Sequence, residues 1–138
     1  MIPRVLSIRQ PYAWAICSRS IPAALRKREE NRDWSTHYRG PVLLHTGMEQ
    51  HRQPEIIKFV EYVTGVQVPG DLPLGGIVGK ANLVDVVSQS KSPWFFGKYG
   101  FILEGAEELP FIPSKGQLGI YYPDAALVAA LRKKGIIK

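Results

Sequence analysis

The chain has 138 residues, 45% of them hydrophobic and 22% charged, which describes one globular domain and excludes a disordered, collagenous or coiled-coil chain. A single cysteine, Cys17, excludes an intramolecular disulfide. No run approaches the roughly 20 apolar residues of a membrane span, and no signal-type apolar block follows Met1-Ile2-Pro3-Arg4, so a soluble, intracellular, cytoplasmic protein without a membrane partner is expected. The net charge of +6 is uneven: residues 1–40 carry eight basic and three acidic groups, and the remainder ten and nine.

Val5–Ile8 reads as a strand, and Gln10-Pro11 then opens a short helix whose residues Tyr12, Ala13, Trp14, Ala15 and Ile16 are almost all apolar and therefore buried. Residues 17–25 form a connection, and Lys27–Arg32 reads as an edge strand or an irregular extension. Gly40-Pro41 precedes a strand over Val42–His45. A helix over 53–64 starts at Gln53-Pro54 and stops at Gly65, with Ile56, Ile57, Val60 and Val63 on one face and Phe59 beside them. Pro69–Pro73 is a turn, and strands follow over Gly76–Val87, Tyr99–Leu103 and Leu118–Tyr122. Pro123 opens a C-terminal helix over 123–134, with Leu127, Ala130 and Leu131 as its inner stripe and basic residues at its negative end. Five to six strands flanked by about three helices, several strands uninterrupted by helices, predict an α+β fold. It is a single domain, 1–138, with a mainly antiparallel, strongly curved sheet or small β-barrel.

The residues exclude several chemistries. His37, His45, His51 and Cys17 share no ligand spacing, so no metal site is expected. Gly75-Gly76-Ile77-Val78-Gly79-Lys80 lacks phosphate-loop spacing and has Ala81 where a hydroxyl would stand. No Gly-x-Ser-x-Gly elbow exists. The densest segment is Arg26-Lys27-Arg28-Glu29-Glu30-Asn31-Arg32-Asp33-Trp34, whose lysine, carboxylates and arginines can polarise a carbonyl, move a proton and grip a phosphate, or form a surface ion-pair run. Strand parity puts Arg28, Glu30 and Arg32 on one face, so Lys27 reaches Glu30 only from a preceding turn or across a bulge. Trp94-Phe95-Phe96 sits in a turn-rich stretch, where aromatics stack on bases or pack inward, and some of each is expected. His45, ending an apolar strand, reads as a core or rim histidine. The N-terminal charge excess fits either a phosphate-bearing ligand or a solvated face of internally paired arginines.

Together, Leu6-Ser7-Ile8-Arg9-Gln10-Pro11-Tyr12-Ala13-Trp14, Lys27-x-x-Glu30-Asn31-Arg32-x-Trp34, Tyr38-Arg39-Gly40-Pro41, Leu43-Leu44-His45, Leu74-Gly75-Gly76-Ile77-Val78-Gly79, Leu83-Val84-Asp85 and Pro93-Trp94-Phe95 resemble the activating signal cointegrator homology (ASCH) domain, of the PUA-like group. The resemblance covers residues 4 to about 123. It implies a PUA-like barrel and a cleft lined by the Arg9-Gln10-Pro11 turn and the Lys27–Glu30 segment. The implied ligand is single-stranded RNA or a modified nucleoside or nucleotide.

Ligand-binding residues expected from the resemblance and the residue types are Arg9, Gln10, Pro11, Lys27, Glu30, Arg32, His45, Trp94 and Phe95. Some relatives resemble amidohydrolases of N4-acylcytidine type that use a lysine, a threonine three residues on and a distant glutamate. Lys27 matches the lysine, whereas Glu30 stands at the threonine position. The glycine before the lysine is also absent, the connection from Trp14 to Lys27 is longer than the family pattern, and Arg26 with Glu29 is an alternative register. RNA or nucleoside binding in a basic cleft is therefore the leading expectation. A hydrolase, amidohydrolase or ribonuclease, with Lys27 and Glu30 catalytic is the alternative, and a protein-interaction module the second alternative. No cofactor is expected.

Overall fold

The two apolar runs Val5-Leu6 and Val42–Leu44 become neighbouring strands covered on both faces. In the structure, a computed structural model describing residues 2–138, β1 (Arg4–Ser7) pairs in parallel with β3 (Gly40–Thr46), with Val5 opposite Leu43 and Leu6 opposite Leu44. Val5 and Leu43 join a cluster with Ile77, Ile112, Leu127 and Leu131, while Leu6 and Leu44 join another with Ala13, Ile16, Cys17 and Phe101. Successive strand residues face opposite ways, so an uninterrupted apolar run suits strands with helices on both sides.

The six strands run in the order β2-β5-β4-β3-β1-β6, where β2 is Glu29–Arg32, β4 Gly76–Val87, β5 Tyr99–Pro113 and β6 Ile120–Tyr121. Every pairing except β1–β3 is antiparallel, and the sheet is curled into a half-barrel. The curl has a local cause. The β4–β5 ladder shifts register three times, between Ile77 and Gly79, Lys80 and Asn82, and Leu83 and Asp85. Each shift adds unpaired residues to one strand and so increases twist and bend. Across the open side of the half-barrel, the Arg32 guanidinium of β2 donates to the Ser7 carbonyl of β1 at 2.5 Å.

Three helices cover the sheet: α1 (Tyr12–Cys17), α2 (Pro54–Thr64) and α3 (Ala125–Lys133), with a 3₁₀ turn over Ala23–Leu25. The α2 boundaries follow the expected punctuation. Gln53 is the N-cap, Pro54 takes the first turn, and Gly65 ends the helix at φ +73°, donating its N–H to the Glu61 carbonyl at 2.8 Å. Val60 and the apolar face around it pack with Trp14, Ile21, Val68, Leu72 and Trp94 in a third cluster.

β1, β2 and β3 shift from their expected bounds by one or two residues, and three other changes have a local cause. β5 continues ten residues past Leu103, because the twelve-residue β4 needs a partner of similar length. Gly105 and Pro110 obscured this in the sequence. Both lie where the register shifts, Gly105 at φ +63° and Pro110 between the paired residues Glu108 and Ile112, so neither interrupts a ladder hydrogen bond. The last strand keeps only Ile120 and Tyr121, since Gly119 turns the chain at φ +74° and Leu118 stands 98% exposed. The C-terminal helix begins at Ala125 rather than Pro123, because Asp124 is the cap and its carboxylate accepts the Leu127 N–H at 2.8 Å. Among the described residues, no helix is long and apolar enough to cross a membrane.

Candidate functional site

β2 runs antiparallel to β5 at the sheet edge, with Glu30 opposite Phe101 and Arg32 opposite Tyr99. Lys27 lies just outside this ladder. Its backbone N–H donates to the Ala15 carbonyl of α1 at 2.9 Å, and the ladder starts beyond it, with Leu103 N–H on the Arg28 carbonyl. Lys27 thus lies in the irregular segment between the 3₁₀ turn and β2, outside the strand parity that would part it from Glu30, and its ammonium meets Glu30 Oε1 at 3.0 Å. The ammonium also donates to the Glu29 carbonyl and lies 5.5 Å from the centre of the Tyr12 ring. The other carboxylate oxygen, Oε2, accepts from Arg32 Nη2 at 3.1 Å. One carboxylate therefore bridges two cations, with the Lys27 side chain 2% exposed, Glu30 10% and Arg32 21%.

This triad forms part of the lining of a cleft of about 690 Å³, whose other walls include Ser7, Arg9, Tyr12, Met48, Glu49, His51, Phe96 and Leu118. That volume suits a drug- or nucleoside-sized ligand. Tyr12 packs edge-on to His51, ring centroids 5.6 Å apart. Burial, with the Glu30 charge second, raises the Tyr12 phenol above its ordinary value, so it is a neutral donor here. Three apolar side chains at the mouth are mostly solvated: Met48 at 74%, Phe96 at 59% and Leu118 at 98% exposed.

Of the expected site residues, the fold brings Arg9, Lys27, Glu30 and Arg32 together and sends the others elsewhere. Gln10 is buried, its carboxamide oxygen accepting the Trp14 N–H at 2.9 Å and its amide donating to the Pro73 carbonyl at 3.3 Å, so it braces α1. Pro11 is buried at the start of α1. His45 is buried, with Nδ1 3.2 Å from Ser7 Oγ and Nε2 2.9 Å from the Ser114 carbonyl, below a neighbouring cleft. Trp94 is also buried, edge-on to Phe59 of α2 at 5.6 Å. Phe95 lies against the Gly100 backbone, where an added Cβ would stand 3.0 Å from its ring. The outward member of the three aromatics is Phe96. Asn31 sets this arrangement, donating to the Trp94 carbonyl and accepting the Phe96 N–H, both at 2.9 Å.

Sequence reasoning missed Phe96, Asn31, Tyr12, His51, Met48 and Leu118 as members of the site or its support. The only local signal was that three consecutive aromatics cannot all face inward. Met48 and Leu118 come from separate loops, and nothing in their neighbours marks them.

The cleft carries charge of both signs. Most of the N-terminal cations are paired with carboxylates, several of them from the second half of the chain: Arg9 with Glu49 at 2.9 Å, Arg19 with Glu108 at 3.8 Å, Arg28 with Glu104 at 2.9 Å and Arg39 with Asp85 at 3.8 Å, besides Lys27 and Arg32 on Glu30. Arg4 lies over the Tyr38 and Tyr122 rings, and Arg26 donates to the Ile21 carbonyl. The cleft itself holds Arg9, Lys27 and Arg32 against Glu30 and Glu49. Among the described residues, no group of three or more His, Cys, Asp or Glu could hold a metal ion.

No protein-family model matches this chain, and no curated protein matches it.

Proposed function

We propose that this chain is an ASCH-type domain of the PUA-like group and that its cleft binds a nucleoside, free or as part of a short single-stranded RNA segment. The reading rests on the sequence resemblance and on one observation: a Lys27–Glu30–Arg32 ionic floor beneath an apolar mouth of Met48, Phe96 and Leu118. Such a site suits a planar, hydrogen-bonding base. The exposed side chains offer flat or adaptable apolar surface for the ring faces, and the charged groups below meet the ring edge. Arg9, half exposed beside Glu49, is the cation best able to exchange its partner for a phosphate.

One observation favours the hydrolase reading as second: Lys27 Nζ and Glu30 Oε1 stand 3.0 Å apart beside the cleft, a donor and a base in reach of one carbonyl. It ranks lower because both Glu30 oxygens are occupied by cations.

The test is fluorescence anisotropy of labelled single-stranded RNA at low and physiological salt, with the same mixtures run on a denaturing gel and parallel titrations with free nucleosides, N4-acetylcytidine included. Saturable binding of intact RNA or nucleoside, lost on Arg32→Ala, supports the proposal. Cleaved RNA or deacylated nucleoside would move the assignment to the hydrolase. No binding of either ligand at low salt would overturn it and leave a protein partner as the reading to test.

A further inference from the structure

A second pair of reactive side chains lies beside the triad, and one of them, Ser7, is in the wall of the same cleft. Ser7 of β1 and His45 of β3 are directly paired across the parallel ladder, and their side chains meet, Ser7 Oγ to His45 Nδ1, at 3.2 Å. The opposite ring nitrogen, Nε2, stands 2.9 Å from the Ser114 carbonyl oxygen. A carbonyl only accepts, so Nε2 carries the hydrogen of the neutral ring. Nδ1 is then the bare nitrogen, and it faces the serine hydroxyl. The Ser114 carbonyl does for this imidazole what a carboxylate does in a serine–histidine–aspartate triad, with the two ring nitrogens exchanged.

Position and access fit the same role. His45 is 1% exposed and held from both ends, whereas Ser7 is partly exposed and lines both the triad cleft and an adjoining one of about 680 Å³. The Gly116 backbone closes over the pair so tightly that a Cβ there would stand 2.7 Å from the His45 ring and 3.2 Å from Ser7 Oγ. The Gln117 carbonyl, 3.3 Å from Oγ, is the competing acceptor for the single hydroxyl hydrogen, slightly farther than Nδ1 at 3.2 Å. Arg32, whose Nη2 donates to the Ser7 carbonyl, brings a guanidinium beside the serine, and its Nε is buried without a partner.

We infer that Ser7 is a nucleophile activated by His45, and that the adjoining cleft takes an ester or another activated acyl group. Ser7 Oγ attacks the acyl carbonyl carbon while its proton passes to His45 Nδ1. The tetrahedral intermediate expels the leaving group, which takes that proton from the imidazole. Water then attacks the seryl ester, gives a proton to Nδ1, and releases the acid as Oγ regains its hydrogen. The inference stands apart from the nucleoside reading, since it needs neither Lys27 nor Glu30.

The test is incubation of the whole chain with a fluorophosphonate probe, followed by intact-mass measurement and peptide mapping. A single adduct on Ser7 is expected. It should be absent in Ser7→Ala and slowed by about 10²–10⁴-fold in His45→Gln, the range of a general base. Circular dichroism would establish that each variant is folded, and Ser7→Cys, alkylated by iodoacetamide faster than Ser7→Cys/His45→Gln, gives a second readout of the base. No adduct on folded protein, an adduct only on other residues, or equal labelling with and without His45 would overturn the inference.

Discussion

Glu30→Gln tests the interaction on which the site rests. The substitution keeps the side chain's shape and removes the charge that holds Lys27 at 3.0 Å and Arg32 at 3.1 Å. Lys27, 2% exposed, is then left facing an amide. Removing one partner of a buried pair costs about 3–5 kcal/mol. The Arg32 half is more solvated and adds little, which favours the low end, about 3 kcal/mol. For 138 residues, an unfolding entropy of about 2.1 cal/mol/K per residue turns this into a Tm lowered by roughly 10 °C. Adding Lys27→Met replaces the stranded ammonium with an apolar chain of similar length, so the double variant should return to within about 1 kcal/mol of the parent. Urea and thermal unfolding followed by circular dichroism measure all three proteins. A Glu30→Gln Tm within about 3 °C of the parent, or a double variant less stable than the single, would refute the buried-pair reasoning.

The three aromatics should separate cleanly. Phe96→Ala should weaken RNA or nucleoside binding by about 1–3 kcal/mol with little change in Tm, whereas Trp94→Ala should destabilise the fold by about 3–5 kcal/mol through the core; titration and thermal melts distinguish them. Because the cleft's cations are already paired, affinity should depend weakly on salt: one or two phosphate contacts give a log–log slope of about −0.7 to −1.4 for a single strand, and a slope beyond about −3 would restore the basic-cleft reading. Cys17 adds a pH prediction. Burial, with the Glu108 charge second, pushes its thiol from an ordinary 9.0 up to about 12. The unfolded thiol ionises first, so stability from this group is complete below pH 9.0 and is lost as pH rises toward about 12. Its contribution to the slope is about 1.4 kcal/mol per pH unit; urea unfolding at stepped alkaline pH should show this fall, and Cys17→Ala should flatten it.

Local pattern carried much of the architecture. Apolar runs over Val5–Ile8 and Val42–His45 marked two strands, and Gln53-Pro54 with Gly65 bounded α2. Strand parity also set the condition for a Lys27–Glu30 contact, a lysine outside the regular strand or a bulge between them, without deciding whether the two meet. These features depend on near neighbours, which the sequence lists in order.

What tertiary structure alone decided are sums over distant parts of the chain. The +5 excess of residues 1–40 reads as a basic surface, yet Glu49, Asp85, Glu104 and Glu108 cancel much of it from strands and loops far along the sequence. Trp94 and Phe96 are two residues apart with the same kind of side chain, and only the Asn31 amide and the Phe59 ring determine that one enters the core and the other faces solvent. Ser7 and His45 are 38 residues apart, and a parallel ladder register makes them neighbours. Periodicity sets which face of an element is apolar, whereas charge compensation and the meeting of reactive groups depend on how elements pack, and that is fixed only when the sheet curls.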